Sequence, residues 1–171
     1  MNGDGPLLIC YEGSEGSRAA IEAAGRLFAQ SRAVVACYWQ PFAESNKRLA
    51  ISILELVQDA ASVNEREERL ARDIAEEGAQ LARAAGLEAE AIAVKIDGPV
   101  DEAILGHADE LDASAIVLGS RGRTSFRSLI LGDVANEVVQ RAARPVIVAP
   151  SGDLAHRRRD ELTRDLPGVR G

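Results

Sequence analysis

Short apolar segments of strand length alternate with longer segments of helical periodicity along almost the whole chain. The strand-type segments cover residues 7–11, 34–39, 91–96, 115–118 and 146–149. Because they are apolar on both faces and alternate with helices, they predict a parallel sheet that is covered by helices on both sides. In such an α/β fold a ligand is expected at the carboxyl ends of the strands, near the point where the strand order reverses.

Helices are predicted between these strands from the spacing of apolar residues. The first runs from Ser14 or Ser17, both favoured N-cap residues, through Gln30. Its inward residues should be Ala20, Ile21, Ala24, Leu27 and Phe28. Residues 45–63 predict an extra helix inserted after the second strand, and residues 64–85 a long charged helix that ends at Gly86. Further helices are expected over residues 100–111 and 132–142.

The length and composition bound the kind of protein. A chain of 171 residues is of single-domain size, and we place the domain at residues 1–150. The polar remainder, residues 151–171, predicts a mobile tail, with docking to an acidic partner through its basic cluster as the alternative. A net charge of -7 disfavours nucleic-acid binding. No apolar run is long enough to span a membrane and residues 1–6 do not resemble a signal peptide, so a cytoplasmic location is expected.

The reactive side chains form no recognisable catalytic set. Cys10 and Cys37 lie in apolar strand segments, which favours a role as small buried residues, although neighbouring strands would leave a redox role open. His107 and His156 are expected at the surface. The Walker motif, the dinucleotide glycine motif and G-x-S-x-G are all missing from the chain. No catalytic residue and no metal ligand is therefore predicted.

A glycine-rich loop follows the fourth strand. GSRG at residues 119–122 is followed, nine residues later, by GDVA at residues 132–135, where a helix is predicted to begin. Backbone N–H groups at a helix N-terminus bind anions, so the loop predicts a phosphate site. Asp133, however, places a carboxylate at that position.

Four features in order resemble the universal stress protein family. They are a first strand running into EGSE at residues 12–15, a strand ending in YWQP at residues 38–41, the glycine pattern of residues 119–132, and RPVIV at residues 144–148. The resemblance implies a Rossmann-like fold of five parallel strands in the order 3-2-1-4-5. It also implies no enzymatic activity, a homodimer formed through the last strand, and a bound adenine nucleotide, ATP or AMP, which a Mg²⁺ ion could accompany.

The resemblance further implies which residues would hold the nucleotide. The end of the first strand would face adenine and ribose, the end of the second would flank the base, and the glycine loop with its arginines would surround the phosphates. In this order the residues are Cys10, Tyr11 and Glu12, then Tyr38, and then Gly119, Gly122, Arg123, Gly132, Asp133 and Val134.

Three residues depart from the usual family pattern. Glu12 stands where Asp is usual, Tyr38 where a small aliphatic residue is common, and Asp133 in place of Ser or Thr. Glu12 keeps the carboxylate. Tyr38 would stack on adenine, fill the base pocket itself, or pack under the insertion helix.

Asp133 is the most consequential departure. Its carboxylate would repel a phosphate about 4 Å away by about 4 kcal/mol at an effective dielectric constant of about 20. A helix N-terminus attracts the phosphate by only about 0.3–1 kcal/mol. A hydrogen bond from Arg121, Arg123 or Arg127 would add about 1.5–3 kcal/mol. Alternatively, Asp133 caps its own helix.

Two functions follow from these residues. The first is an adenine-nucleotide-binding sensor or switch in the stress response. The alternative is a dimeric interaction module that binds no nucleotide because Asp133 and Tyr38 block the site. An enzyme of the related adenine-nucleotide hydrolase type is disfavoured, because the chain lacks the S-G-G-x-D-S phosphate loop of those enzymes.

Overall fold

A parallel sheet forms the middle layer of the protein, as seen in a computed structural model that describes residues 5–41, 60–120 and 132–165. Its strands are β1 (Leu7–Cys10), β2 (Arg32–Trp39), β3 (Glu88–Lys95), β4 (Ala115–Gly119) and β5 (Val146–Ala149). The order across the sheet is β3-β2-β1-β4-β5, and every pairing is parallel. The predicted α/β fold and strand order are confirmed. The order reverses between β1 and β4, which makes their carboxyl ends the expected place for a ligand.

Helices connect the strands and cover both faces of the sheet. They are α1 (Glu15–Leu27), α2 (Ala60–Ala84), α3 (Val100–Glu110), α4 (Asp133–Arg141) and, beyond the last strand, α5 (Gly152–Asp165). The predicted insertion helix lies outside the described residues up to residue 59, and residues 60–63 belong to α2.

Alternation along β1 sends successive side chains into two hydrophobic layers. Leu7 and Ile9 pack with α1 and α2 on one face, whereas Leu8 and Cys10 pack with α3 and α4 on the other. Burying an aliphatic side chain of this size contributes about 1.5–3 kcal/mol. The two layers therefore hold the helices to the sheet and set the ends of the strands against the connecting turns.

The first helix ends earlier than the sequence predicts. Gln30 adopts a positive φ of 65°, which helical residues do not have, and its N–H donates to the carbonyl oxygen of Gly86 at 2.8 Å. Leu27, expected to face inward, is 64% exposed, so that prediction is wrong. The reason is that the helix stops there and Phe28 takes the place against the core.

A fifth helix follows β5, in the region for which the sequence predicts a mobile tail. α5 packs against α1, and its Leu154 is only 1% exposed. Helical periodicity did not reveal α5, because one buried leucine does not make an apolar stripe. The mobility of residues 151–171 and the domain boundary at residue 150 stay predictions. None of the helices among the described residues is long and apolar enough to cross a membrane.

Candidate functional site

A cleft of about 370 Å³ lies at the carboxyl ends of β1, β2 and β3, with α2 as its opposite wall. Glu12 and Tyr38 both line it, so two of the predicted site residues share one cavity. Much of the remaining wall is apolar, as at Leu70 and Ile74. Among the described lining residues the charged ones are Glu12 and Glu67, both acidic. The cleft therefore suits a weakly polar group rather than an anion.

Glu12 lies in the turn that carries the chain from β1 into α1. Gly13 makes this turn with a φ of 78°, a conformation that glycine adopts without strain. The hydroxyl of Ser14 donates to the Glu12 carboxylate. The hydroxyl oxygen of Ser14 also accepts a hydrogen bond from the N–H of Ser17 at 3.1 Å and so caps the helix. The carboxylate thus lies beside a helix N-terminus, where the helix dipole favours negative charge. A carboxylate held in this way can accept hydrogen bonds from the hydroxyls of a ligand.

Tyr38 forms another part of the cleft wall, near the end of β2. Its ring packs against the layer that contains Cys10, and its hydroxyl lies 3.2 Å from Nδ1 of His107 on α3. The two rings meet edge to face, with centroids 6.1 Å apart and an interplanar angle of 85°. Burial, with smaller effects of Cys10 and Glu110, raises the pKa of Tyr38, so the phenol is neutral. His107 is half-buried, and its predicted place as a plain surface residue is wrong because of this contact.

Tyr11 points to the other face of the sheet. Its side chain is 1% exposed, and its hydroxyl donates to Oε1 of Glu77 at 2.9 Å. Arg18 on α1 donates to the same oxygen at 2.5 Å. Burial, together with Glu77, raises the pKa of Tyr11 to about 12. The structure therefore places the Tyr11 side chain in the core between α1 and α2, apart from the wall that Tyr38 forms.

The two cysteines also lie on opposite faces of the sheet. Cys10 packs in the layer of α3 and α4, and Cys37 packs against Ala71 and Ala75 of α2. Neither cysteine forms a disulfide, and both are buried. Burial, then the charge of Glu12, raises the pKa of Cys10, which keeps the thiol protonated and unreactive. The redox role left open by the sequence loses its basis, because the sheet separates the two sulfur atoms.

The end of β4 and the start of α4 are brought together by backbone hydrogen bonds. The N–H of Gly132 donates to the carbonyl oxygen of Ser120 at 2.7 Å, and the N–H of Ser120 donates to that of Ala149, also at 2.7 Å. The N-terminus of α4 thus lies at the carboxyl edge of the sheet, as the glycine pattern predicts. Gly122 and Arg123, together with Arg121 and Arg127, lie outside the described residues.

Gly119 has a packing role that the sequence did not reveal. A Cβ atom at this position would lie 2.5 Å from the carbonyl carbon of Gly16 and 2.9 Å from the backbone nitrogen of Ser17. Both atoms belong to the first turn of α1. Only glycine allows this close approach of β4 to α1, whatever its backbone contributes to a ligand.

Asp133 is the first helical residue of α4 rather than its cap. The N-cap is Gly132, which has an extended conformation and no side chain to accept from the helix. The hypothesis that Asp133 caps its own helix is therefore wrong. Asp133 is exposed, as is Val134 at 40%. The N-terminus of α4 therefore carries an exposed aspartate in its first turn.

Sequence reasoning missed Gln40 as a residue of the cleft and His107 as the partner of Tyr38. The side-chain amide of Gln40 lines the cleft and donates to the carbonyl oxygen of Gly98 at 2.6 Å, which ties the end of β2 to the turn after β3. Gly98 makes this turn with a φ of 114°, a conformation that glycine adopts without strain. Gln40 stood in a recognised motif, whereas nothing in the local sequence marks His107, because its partner is far away along the chain.

The geometry defines a class of protein: a Rossmann-like α/β domain with its candidate ligand site at the carboxyl edge of a parallel sheet. The universal stress protein family model matches residues 5–150. This chain belongs to that family.

Individual relatives agree with this assignment. Universal stress protein YxiE of Bacillus subtilis is 36% identical over 75 residues, a match that spans 44% of this chain and about half, 49%, of the relative. A universal stress protein from Archaeoglobus fulgidus is similar in structure, with a TM-score of 0.61 and 25% identity over 84% of this chain and 97% of the other.

Two further solved structures of similar fold contain nucleotides. A universal stress protein in complex with cAMP has a TM-score of 0.58 and 22% identity, over 86% of this chain and 98% of the other. The Archaeoglobus fulgidus universal stress protein in complex with dAMP has a TM-score of 0.55 and 20% identity, over 84% and 96%.

Proposed function

We propose that this protein is an adenine-nucleotide-binding sensor or switch that works without catalysis. The observation that carries the proposal is that Glu12 and Tyr38 line one cleft at the carboxyl ends of the strands. A ring wall beside a carboxylate suits a nucleoside, whose base is flat and whose ribose has hydroxyl donors. The relatives in complex with cAMP and dAMP support adenine as the base.

The charges of the described residues predict that the base and the phosphates of the nucleotide bind at two different places. Because the described charged residues of the cleft wall are acidic, phosphates are disfavoured inside it. The N-terminus of α4 is the alternative, since the hydrogen bond from Gly132 to Ser120 holds it at the same edge of the sheet. The base and ribose are thus assigned to the cleft, and the phosphates to the amides of Gly132, Asp133 and Val134. The family resemblance adds Gly119, Gly122 and Arg123 to the proposed phosphate site.

Asp133 sets which nucleotide fits. Its exposed carboxylate adds repulsion for every phosphate charge at the helix N-terminus. A nucleotide with one phosphate suffers least, so AMP is expected to bind more tightly than ATP without metal. A Mg²⁺ ion between Asp133 and the phosphates would reduce that difference.

Titration calorimetry of nucleotide-free protein with AMP and ATP, with and without Mg²⁺, tests the proposal. Asp133→Ser should strengthen ATP binding more than AMP binding. Asp153→Ser is the matched control, because Asp153 is also an exposed acidic residue in the first turn of a helix, α5. If neither wild type nor Asp133→Ser binds either nucleotide, the nucleotide function is wrong.

The interaction-module alternative has one observation in its favour. The hydroxyl of Tyr38 is paired with His107, which holds the ring in place, and in this reading the ring fills the position that a base would need. Under this alternative wild type binds no nucleotide, and the smaller side chain in Tyr38→Val restores binding.

We also propose a homodimer through β5. This strand pairs with β4 on one side and lies at the edge of the described sheet. The carbonyl oxygens of Pro145 and Ala149 point toward β4. Because the backbone groups of successive strand residues point to opposite edges, the N–H and C=O of Val148 point away from β4, toward the proposed second copy. Val148→Pro should therefore yield a monomer in light scattering where wild type is a dimer, because proline removes an outward N–H group. Dimers of unchanged stability in Val148→Pro would contradict this assignment.

A further inference from the structure

The pairing of Tyr38 with His107 links the wall of the cleft to a helix behind it. The hydroxyl and Nδ1 are 3.2 Å apart, and the rings meet edge to face. Tyr38 lines the cleft, whereas His107 is not among its described lining residues. The hydroxyl of the tyrosine is therefore engaged on the side of α3, with a residue outside the described lining of the cleft.

Both partners are neutral near pH 7. Burial lowers the pKa of His107, with Glu110 opposing in part, and burial raises the pKa of Tyr38. A neutral imidazole has one N–H and one lone pair, and a neutral phenol can serve as either partner. A single hydrogen bond can therefore join the Tyr38 hydroxyl to Nδ1 of His107 without either group being charged.

We propose that His107 is a positioning residue for the nucleotide site, because it holds Tyr38 as a fixed, apolar wall for the base. This inference rests on the proposed function, since it concerns the base bound in the cleft. The tyrosine hydroxyl is committed to His107, so the base is recognised through contact with the ring and not through a hydrogen bond from that hydroxyl. The ligand class is a nucleotide with a flat heterocyclic base.

A fixed wall loses less freedom when the ligand binds than a mobile side chain does. Ordering one such side chain weakens binding by about twofold to tenfold. Removing the hydrogen bond from either side should have this same effect, because the tyrosine ring is released in both cases. Tyr38→Phe and His107→Leu are therefore each expected to bind AMP about twofold to tenfold more weakly than wild type.

Calorimetric titration with AMP of wild type, both single variants and the double variant tests the link. The double variant should bind no more weakly than either single variant, because one bond is lost in all three. His107→Asn, whose oxygen can replace Nδ1, should recover part of the affinity. His156→Leu, which alters the other histidine of the chain, should bind as wild type does. If Tyr38→Phe weakens binding while His107→Leu does not, the hydroxyl contacts the ligand itself and the proposal is wrong.

A measurement without nucleotide separates this inference from the proposed function. The ¹⁵N NMR signals of the imidazoles should show a shift of His107 in Tyr38→Phe, with His156 unchanged. An unchanged His107 signal would refute the pairing in solution. If the signal shifts but wild type binds no AMP, the nucleotide function fails, and with it the positioning role for a base, while the pairing itself stands.

Discussion

Replacing Gly119 with alanine should destabilise the protein through the packing of β4 against α1. The added Cβ would lie 2.5 Å from the carbonyl carbon, 2.8 Å from the carbonyl oxygen of Gly16, and 2.9 Å from the nitrogen of Ser17. Real Cβ atoms do not approach other atoms so closely. The neighbours are backbone atoms of a helix, which cannot rotate away as a side chain can.

The magnitude follows from the cost of overpacking. Inserting a methyl group into a packed region costs about 1–3 kcal/mol, and the rigid neighbours place Gly119→Ala near the upper end. In a domain of this size each 1 kcal/mol lowers the melting temperature by about 2–4 °C. A loss of about 3 kcal/mol therefore corresponds to a decrease of roughly 6–12 °C.

Gly106→Ala is the matched control for the same substitution. Gly106 is exposed on α3, and a Cβ atom there meets nothing within 4 Å outside the helix's own backbone. Alanine is favoured over glycine in a helix by about 0.5–1 kcal/mol. The free energy of unfolding should therefore rise in Gly106→Ala and fall in Gly119→Ala.

The assay is urea unfolding of the ligand-free proteins, followed by circular dichroism. Using ligand-free protein matters, because a glycine needed only for contact with a nucleotide would leave the free energy of unfolding unchanged on mutation. Gly119→Ala that is as stable as wild type would refute the packing argument and return Gly119 to a purely ligand-lining role.

Three further predictions concern contacts that only the structure shows. Tyr11→Phe removes the hydrogen bond to Glu77 and should lower the free energy of unfolding by about 0.5–1.5 kcal/mol in urea titrations; an equal or higher value would contradict the role of this bond. Leu154→Ala opens a cavity at a site of 1% exposure, and such a cavity costs about 2–5 kcal/mol for a buried leucine, so hydrogen exchange should accelerate over α5. The control Leu27→Ala, at an exposed site, should change the exchange little. Burial lowers the pKa of His107 in the folded protein, so as the pH falls below about 6.5 this histidine is protonated in the unfolded chain before it is protonated in the folded one. The free energy of unfolding should therefore decrease in this pH range. A curve of stability against pH with the same slope in wild type and His107→Leu would contradict this.

Local patterns predicted the elements of the fold well. Strand β5 has the predicted bounds, Val146–Ala149, and Ser14 caps α1 as one of the two serines proposed. These features depend on residues close together in the chain, such as a run of branched apolar side chains or a serine before a helix. The strand order followed from the resemblance to a family and is confirmed by the pairing.

The same local patterns misjudged residues whose environment depends on a distant element. Periodicity placed Leu27 inward, but the helix ends there and the side chain is exposed. Leu154 is buried against a part of the chain that sequence spacing does not identify. Asp133 is a good N-cap residue by type, yet the backbone makes Gly132 the cap.

The sequence by itself determined that this chain forms a parallel α/β domain with a glycine loop before α4, since both properties are written in short stretches of residues. Tertiary structure alone decided which side chains meet. Tyr38 and His107 are 69 positions apart, and Tyr11 and Glu77 are 66 apart. Adjacent strand residues face opposite sides of a sheet, so Tyr11 and Cys10 went to different layers although they are neighbours in sequence. The partner that each then met depended on which helix the crossover connections laid over that face.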